Sequence, residues 1–117
     1  MASSNNVMFI QDEALTADSN VGSKKKLHNE SSGFVGWIKA VDTNAATTVA
    51  AKVEHSPDGV SWFDAFSFTN IVGTDSEELI QVNDDSVHLL PFVRSSVTLT
   101  GVTKESTVTV GLFFTYV

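Results

Sequence analysis

Along most of the chain apolar and polar residues alternate with a period of two, and turn-forming residues interrupt the alternation at short intervals. That period belongs to β-strands, whose successive side chains point to opposite faces. In Ser106–Val117 the residues Val108, Val110, Leu112, Phe114 and Tyr116 fall on one face, with Phe113 and Val117 on the other. In Val87–Thr100, Val93, Ser95, Val97 and Leu99 share a face opposed by Arg94, Ser96 and Thr98. Pro91 has no N–H for a ladder, so the regular strand starts there or lies at an edge. Gly33–Val41 is apolar on both faces, with Val35, Trp37 and Val41 against Phe34, Ile38 and Ala40. Such a pattern predicts a central strand. Glu77–Val82 reads as a short strand with Leu79 and either Ile80 or Val82 inward.

One hairpin organises these strands. Thr47–His55 and Ser61–Phe68 flank the run Ser56-Pro57-Asp58-Gly59-Val60. Pro57 presets φ for the first corner of a turn, Asp58 can bond its own backbone, and Gly59 accepts positive φ. A three-residue loop, Pro57–Gly59, sets Val53 opposite Phe63 and puts Trp62 on one face with Lys52 and Glu54. A four-residue loop, Pro57–Val60, pairs His55 with Trp62 and puts Val49, Ala51 and Val53 with Trp62, Phe66 and Phe68. A one-residue slip exchanges the faces. The apolar grouping favours the four-residue loop, with Asp64 as its one misfit. The predicted core is then Trp37, Val53, Trp62, Phe66, Val97, Val110 and Leu112.

The N-terminal third is less regular. Residues 1–6 are small and polar and read as a mobile arm. Val7, Met8, Phe9 and Ile10 form a short apolar run, either a first strand or a hook that docks on another surface. Ser23–Ser32 is polar and reads as a loop. The division expected is an N-terminal arm and loop over 1–32 and a β-sandwich domain over 33–117. Short strands between turns, without a sustained helical period, predict an all-β fold. Free sheet edges invite aggregation, so an antiparallel sandwich or partly closed barrel is favoured over an open sheet.

Composition narrows the function. A chain of 117 residues, 42% of them hydrophobic, suits a single domain with its own core. Without cysteine there is no disulfide framework, thiolate zinc site or Cys nucleophile. A net charge of −7 argues against nucleic acid as a partner, because phosphate binding needs Lys and Arg. The basic run Lys24-Lys25-Lys26 lies in a polar stretch and reads as a solvated loop. With no 18-residue apolar run, no membrane span is expected. The N-terminus lacks the basic-then-apolar order of a secretory signal.

Catalytic signals are sparse. His28, His55 and His88 have no metal-binding spacing, so no metal or cofactor is expected. Asp75, Glu77, Glu78, Asp84 and Asp85 lack the spacing of a calcium loop and read as an acidic rim. No Ser or Thr has an evident activating base. Trp37, Trp62, Phe63, Phe66 and Phe68 are the candidates for a sugar-stacking platform, but strand alternation accounts for most of them as core. Phe113 and Phe63 are the aromatics expected at the surface, where a cluster would mark an interface.

The stretch from Val53 to Trp62, with its Asp-Gly-x-x-Trp turn, is followed by the strand from Leu90 to Gly101 and a terminal Thr/Val strand. Together these resemble small structural proteins of tailed bacteriophages, several of them head decoration, or cement, proteins. Asp12–Thr16 resembles their N-terminal segment, whereas the lysine-bearing loop Ser23–Ser32 is outside the pattern. The resemblance covers about the last two-thirds of the chain. It implies a non-enzymatic virion protein, assembled in the host cytoplasm, that binds the outer surface of the capsid and stabilises the shell. The implied partner is the major capsid protein and the implied assembly a homotrimer. Arg94 matches the family's arginine, expected to bond backbone or a carboxylate at a sheet edge or subunit contact. Candidate interface residues are Val7, Met8, Phe9, Ile10, Arg94, Phe113 and Val117. The alternatives are a carbohydrate- or receptor-binding module and a tail or baseplate component.

Overall fold

The computed structural model describes residues 3–27, 33–83 and 89–116. Val117, His28, His88, Asp84 and Asp85 therefore lie outside the described residues. The strands are β1 (Ser3–Leu15), β2 (Ser19–Val21), β3 (Lys25–Lys26), β4 (Gly33–Val41), β5 (Thr48–Ser56), β6 (Phe63–Ser67), β7 (Ile71–Val72), β8 (Ser76–Asn83), β9 (Phe92–Thr100) and β10 (Ser106–Tyr116). Every strand pair is antiparallel. The fold is all-β: a sandwich of two sheets. Sheet A runs β1-β10-β4-β8, and sheet B runs β2-β9-β5-β6 with β3 on β9 and β7 on β5.

The core follows from the period of two. Val108, Val110, Leu112 and Phe114 of β10 and Phe34, Ile38 and Ala40 of β4 face inward from sheet A. Val49, Ala51 and Val53 of β5 meet them with Val93, Val97 and Leu99 of β9. Burying each Val, Leu, Ile or Phe contributes about 1.5–3 kcal/mol, against about 0–1 for an exposed ion pair, so this layer dominates the fold's stability. Gly36 keeps the phase of Phe34 and Ile38 but leaves a gap that the Phe66 ring fills. A Cβ there would lie 2.7 Å from that ring. Phe66 stays half-buried, with its centroid 5.5 Å from both Phe34 and Phe68.

The first correction concerns the N-terminal segment. Ser3–Leu15 is not an arm apart from the sandwich but an edge strand registered on β10 from Ser3↔Tyr116 to Leu15↔Ser106. β2 and β3 then cross to sheet B and pair with β9. Val7–Ile10 thus takes the first-strand option of the two it offered, and irregularities between Met8 and Ile10 and between Ile10 and Glu13 kept a strict alternation reading from extending that strand to Ser3 and Leu15. Asp12 takes φ 46° at the second of them, and its N–H donates to Thr109 Oγ1 at 2.9 Å.

The second correction concerns the hairpin. Neither short loop forms. His55 pairs with Phe63, Glu54 with Asp64 and Val53 with Phe66, so Ala65 is an extra residue in a bulge. The bulge exchanges the faces within β6. Phe66 and Phe68 turn toward the core, while Asp64 and Trp62 turn outward. Asp64 is thereby no misfit: it meets Lys52 Nζ at 2.9 Å on the outer face. The turn itself is built as its residues imply. Ser56 is buried, and its Oγ accepts the Gly59 N–H at 2.8 Å. Asp58 Oδ1 accepts the N–H groups of Val60 and Ser61 at 2.8 and 2.9 Å. Those two donors, Ser61 first, and the Ser56 hydroxyl hold the Asp58 carboxyl below its ordinary value. Gly59 takes φ +79°.

Candidate functional site

The outer face of sheet A carries an apolar row. Register places Met8 of β1 opposite Gly111 of β10, Gly111 opposite Trp37 of β4, and Trp37 opposite Leu79 of β8. These four positions form one line across all four strands. The next line pairs Phe113 with Val35, and Val35 with Gln81. Leu79 is 67% exposed. Trp37, Phe113, Val35 and Met8 are half-buried.

Packing within the row is specific. The Trp37 and Phe113 rings lie 5.8 Å apart, tilted by 49°. The Trp37 Nε1–H donates to Glu77 Oε2 at 2.7 Å, so the indole is held with its polar edge satisfied. Met8 lies across Gly111: a Cβ on that glycine would sit 2.6 Å from Sδ. The absent side chain lets the flexible thioether lie over β10 at the position that pairs with Trp37. This contiguous, partly exposed apolar row is the candidate interaction surface of sheet A.

Two expectations are corrected here. Trp37 is not core. Gly36 and Ile38, its neighbours in β4, take the inward positions, and the indole N–H finds its carboxylate partner at the surface. Leu79 is not inward. Its pairing with Trp37 fixes it on the outer face, and Ile80 packs on the core instead. Trp37, Leu79 and Val35 are thus the members of the row that sequence reasoning did not assign to a surface. The usable signal was register: once Trp37 faces out, its β8 partner must as well.

The proposed interface residues do not form one patch. Ile10 is buried and Val7 and Phe9 pack on the core, so of the apolar run only Met8 belongs to the outer row. Phe113 belongs to it too. Arg94 lies on sheet B, on the opposite side of the sandwich.

On sheet B the turn and strand motifs meet. Arg94 of β9 pairs with Glu54 of β5, and its Nε donates to Glu54 Oε1 at 2.9 Å. The Glu54 side chain is only 13% exposed. The Arg94 guanidinium lies 4.1 Å from the Trp62 ring centroid. Trp62 is therefore not core either; it is half-buried on the outer face, as the bulge at Ala65 requires. Lys52 joins the network through Asp64, which raises its pKa, with Glu54 at 3.9 Å. Of the remaining core residues, Val53, Val97, Val110 and Leu112 are fully buried.

His55 is half-buried and accepts the Leu90 N–H on Nδ1 at 3.2 Å, and burial lowers its pKa. That hydrogen bond gives the imidazole a structural role in tying β5 to the segment before β9. Among the described residues no group of three His, Asp or Glu is placed to hold a metal ion.

No family model matches the chain. No curated protein sequence matches it either. Solved structures do. The VP2 protein of infectious bursal disease virus, in its subviral particle, superposes with a TM-score of 0.67 and 10% identity over 97% of this chain and 32% of that one. The Gx strain of the same virus gives 0.66 and 8% over 98% and 33%. The CBM36-1 domain of a multidomain xylanase from the hindgut metagenome of Trinervitermes trinervoides gives 0.54 and 11% over 95% and 96%. This chain spans about a third of the viral chains and nearly all of the xylanase module. At these identities the likeness is one of fold: all are similar to this β-sandwich.

Proposed function

We propose that this is a non-enzymatic virion structural protein, a decoration or cement protein that binds the outer surface of a tailed-phage capsid and stabilises the shell. The observation that carries the reading is the apolar row Met8–Gly111–Trp37–Leu79 with Phe113 beside it. Placed against a capsid subunit, the largely exposed Leu79 would contribute up to about 1.5–3 kcal/mol, and the half-buried Trp37, Phe113 and Met8 less each, in proportion to the area still open. Association costs of roughly 4–15 kcal/mol offset much of that, so one face on one subunit binds weakly. A homotrimer seated on a threefold site engages three such faces at once, and avidity supplies the remainder. The resemblance of the turn and the β9 strand to phage decoration proteins supports the reading. So does the kinship in fold with the infectious bursal disease virus VP2 particle.

The test is co-sedimentation of purified protein with expanded heads that lack it, followed by the heads' melting temperature. Wild type should bind and raise that temperature. Leu79→Lys, at a largely exposed position, should fold normally and bind at least tenfold more weakly, since about 1.4 kcal/mol is a factor of ten. Wild type that ignores heads, or a Leu79→Lys variant that binds as well, rejects the proposal.

A further inference from the structure

The outer face of sheet B differs in kind from the apolar row of sheet A. Between β9, β5 and β6 it sinks into a dip of about 220 Å³, floored by Ala50 and rimmed by Lys52, Ser67, Asn70, Ser96 and Thr98. The floor is low because alanine stands between the longer residues of β9 and the segment after β6. The rim is three hydroxyls, an amide and an ammonium, a set suited to a polyhydroxylated ring. The volume is below the roughly 300–1,000 Å³ of drug-sized pockets and is suited to a single sugar unit.

Two further stations follow along the strands. At the level of Glu54, four residues from Ala50, stands the Arg94–Trp62 pair, of which only Nε of the guanidinium is engaged by protein among the described residues. At the level of Ser56 stands Phe92, with Lys24 Nζ 5.7 Å and Lys26 Nζ 6.0 Å from its ring centroid. At about 3.3 Å per residue the three stations span roughly 20 Å. Lys52 and Arg94 are matched by Asp64 and Glu54, whereas Lys24, Lys25 and Lys26 make no ion pair among the described residues. The unmatched positive charge is thus gathered at one end of the track. The chain's net charge of −7 acts at long range, but at physiological salt a Debye length of about 8 Å lets this local charge decide.

We propose that the outer face of sheet B binds an acidic polysaccharide, with one sugar in the Ala50 dip, the chain passing the Arg94–Trp62 pair, and a carboxylate held by Lys24 and Lys26 at Phe92. Aromatic faces beside free hydroxyls favour a saccharide over an acidic peptide, which would need the cations but not the dip. This binding concerns the face opposite the apolar row, and it stands or falls without the capsid reading.

The test is affinity electrophoresis of the purified chain in native gels containing alginate, with dextran and poly-glutamate gels as controls and no phage heads present. Alginate should retard wild type, with dextran and poly-glutamate having little effect. Lys24→Gln with Lys26→Gln should reduce the retardation at least fivefold, and Ala50→Trp, which fills the dip, should reduce it similarly. Asn70→Ala with Thr98→Ala trims the rim at exposed positions and serves if Ala50→Trp does not fold. No retardation of wild type overturns the proposal. So does equal retardation by poly-glutamate, or loss in the lysine variant alone with both dip variants unaffected, which would mean charge attraction without a sugar site.

Discussion

The guanidinium of Arg94 lies 4.1 Å from the centre of the Trp62 ring, while its Nε donates to Glu54 Oε1 at 2.9 Å. These residues come from three strands or turns that neighbour one another only in the sheet. Stacking on an aromatic face contributes about 0.5–2 kcal/mol, rising as the cation loses water. A double-mutant cycle with Arg94→Met and Trp62→Leu, read by urea unfolding, should give a coupling in that range. A coupling near zero would mean that the two are neighbours without mutual stabilisation.

Ser56 is the buried anchor of the turn. Ser56→Ala leaves the Gly59 N–H without its acceptor in a buried place and removes the Ser56 hydroxyl's bond to Asp58 Oδ1 at 3.0 Å. The expected cost is about 1–3 kcal/mol. For a domain of this size that lowers Tm by roughly 3–6 °C per kcal/mol. Gly59→Ala forces a Cβ into φ +79° and should cost about 1–2 kcal/mol on its own. Thermal unfolding of the two variants checks both values, and an unchanged Tm for Ser56→Ala would show that the turn holds without the hydroxyl.

His55 makes stability depend on pH. Burial lowers its pKa from the ordinary 6.5, and its Nδ1 must stay unprotonated to accept the Leu90 N–H. As pH falls the unfolded chain takes up this proton first, so acid favours unfolding. The contribution is complete above about pH 6.5 and is lost as pH drops through the lower folded value. Tm should therefore fall between pH 7.5 and 5.5. His55→Asn, which retains an acceptor but cannot titrate there, should flatten that part of the profile. A wild-type and a variant profile of the same slope would exclude His55 as the cause.

Gly36 and Phe66 occupy one space. A Cβ at Gly36 would lie 2.7 Å from the Phe66 ring and 3.3 Å from that of Phe68. Gly36→Ala should destabilise by about 1–3 kcal/mol through overpacking. Phe66→Leu in the same chain should restore part of the loss, because the smaller side chain vacates the contact. Urea unfolding of the single and double variants separates this from a general intolerance of alanine in β4: without rescue, the collision is not the cause.

Much of the fold was legible because its signals are local. Alternation in β9 and β10 depends only on successive side chains pointing to opposite faces, so Val97, Val110 and Leu112 read as core from their order alone. Pro57, Asp58 and Gly59 announce a turn through backbone preferences that act within four residues. The strand β1 was less legible because its two irregularities break the period, and only its ladder with β10 restores it.

The candidate sites were decided by pairing between strands distant in sequence. The face of Trp62 turned on Ala65, whose extra position in the bulge is invisible until Val53 is seen opposite Phe66 and Glu54 opposite Asp64. Leu79 became a surface residue through its place beside Trp37. The row from Met8 to Leu79 joins residues separated by the whole sandwich in sequence, and the Ala50 dip exists only where β9, β5 and the segment after β6 meet. From the order of residues alone come the strands after Gly33 that keep a regular alternation, the Pro57–Gly59 turn, the class of fold and most of the inward residues, because these follow from a two-residue period and turn chemistry. Register, bulges and strand order, which depend on the complementarity of whole faces, determined which side chains stand together on the outside.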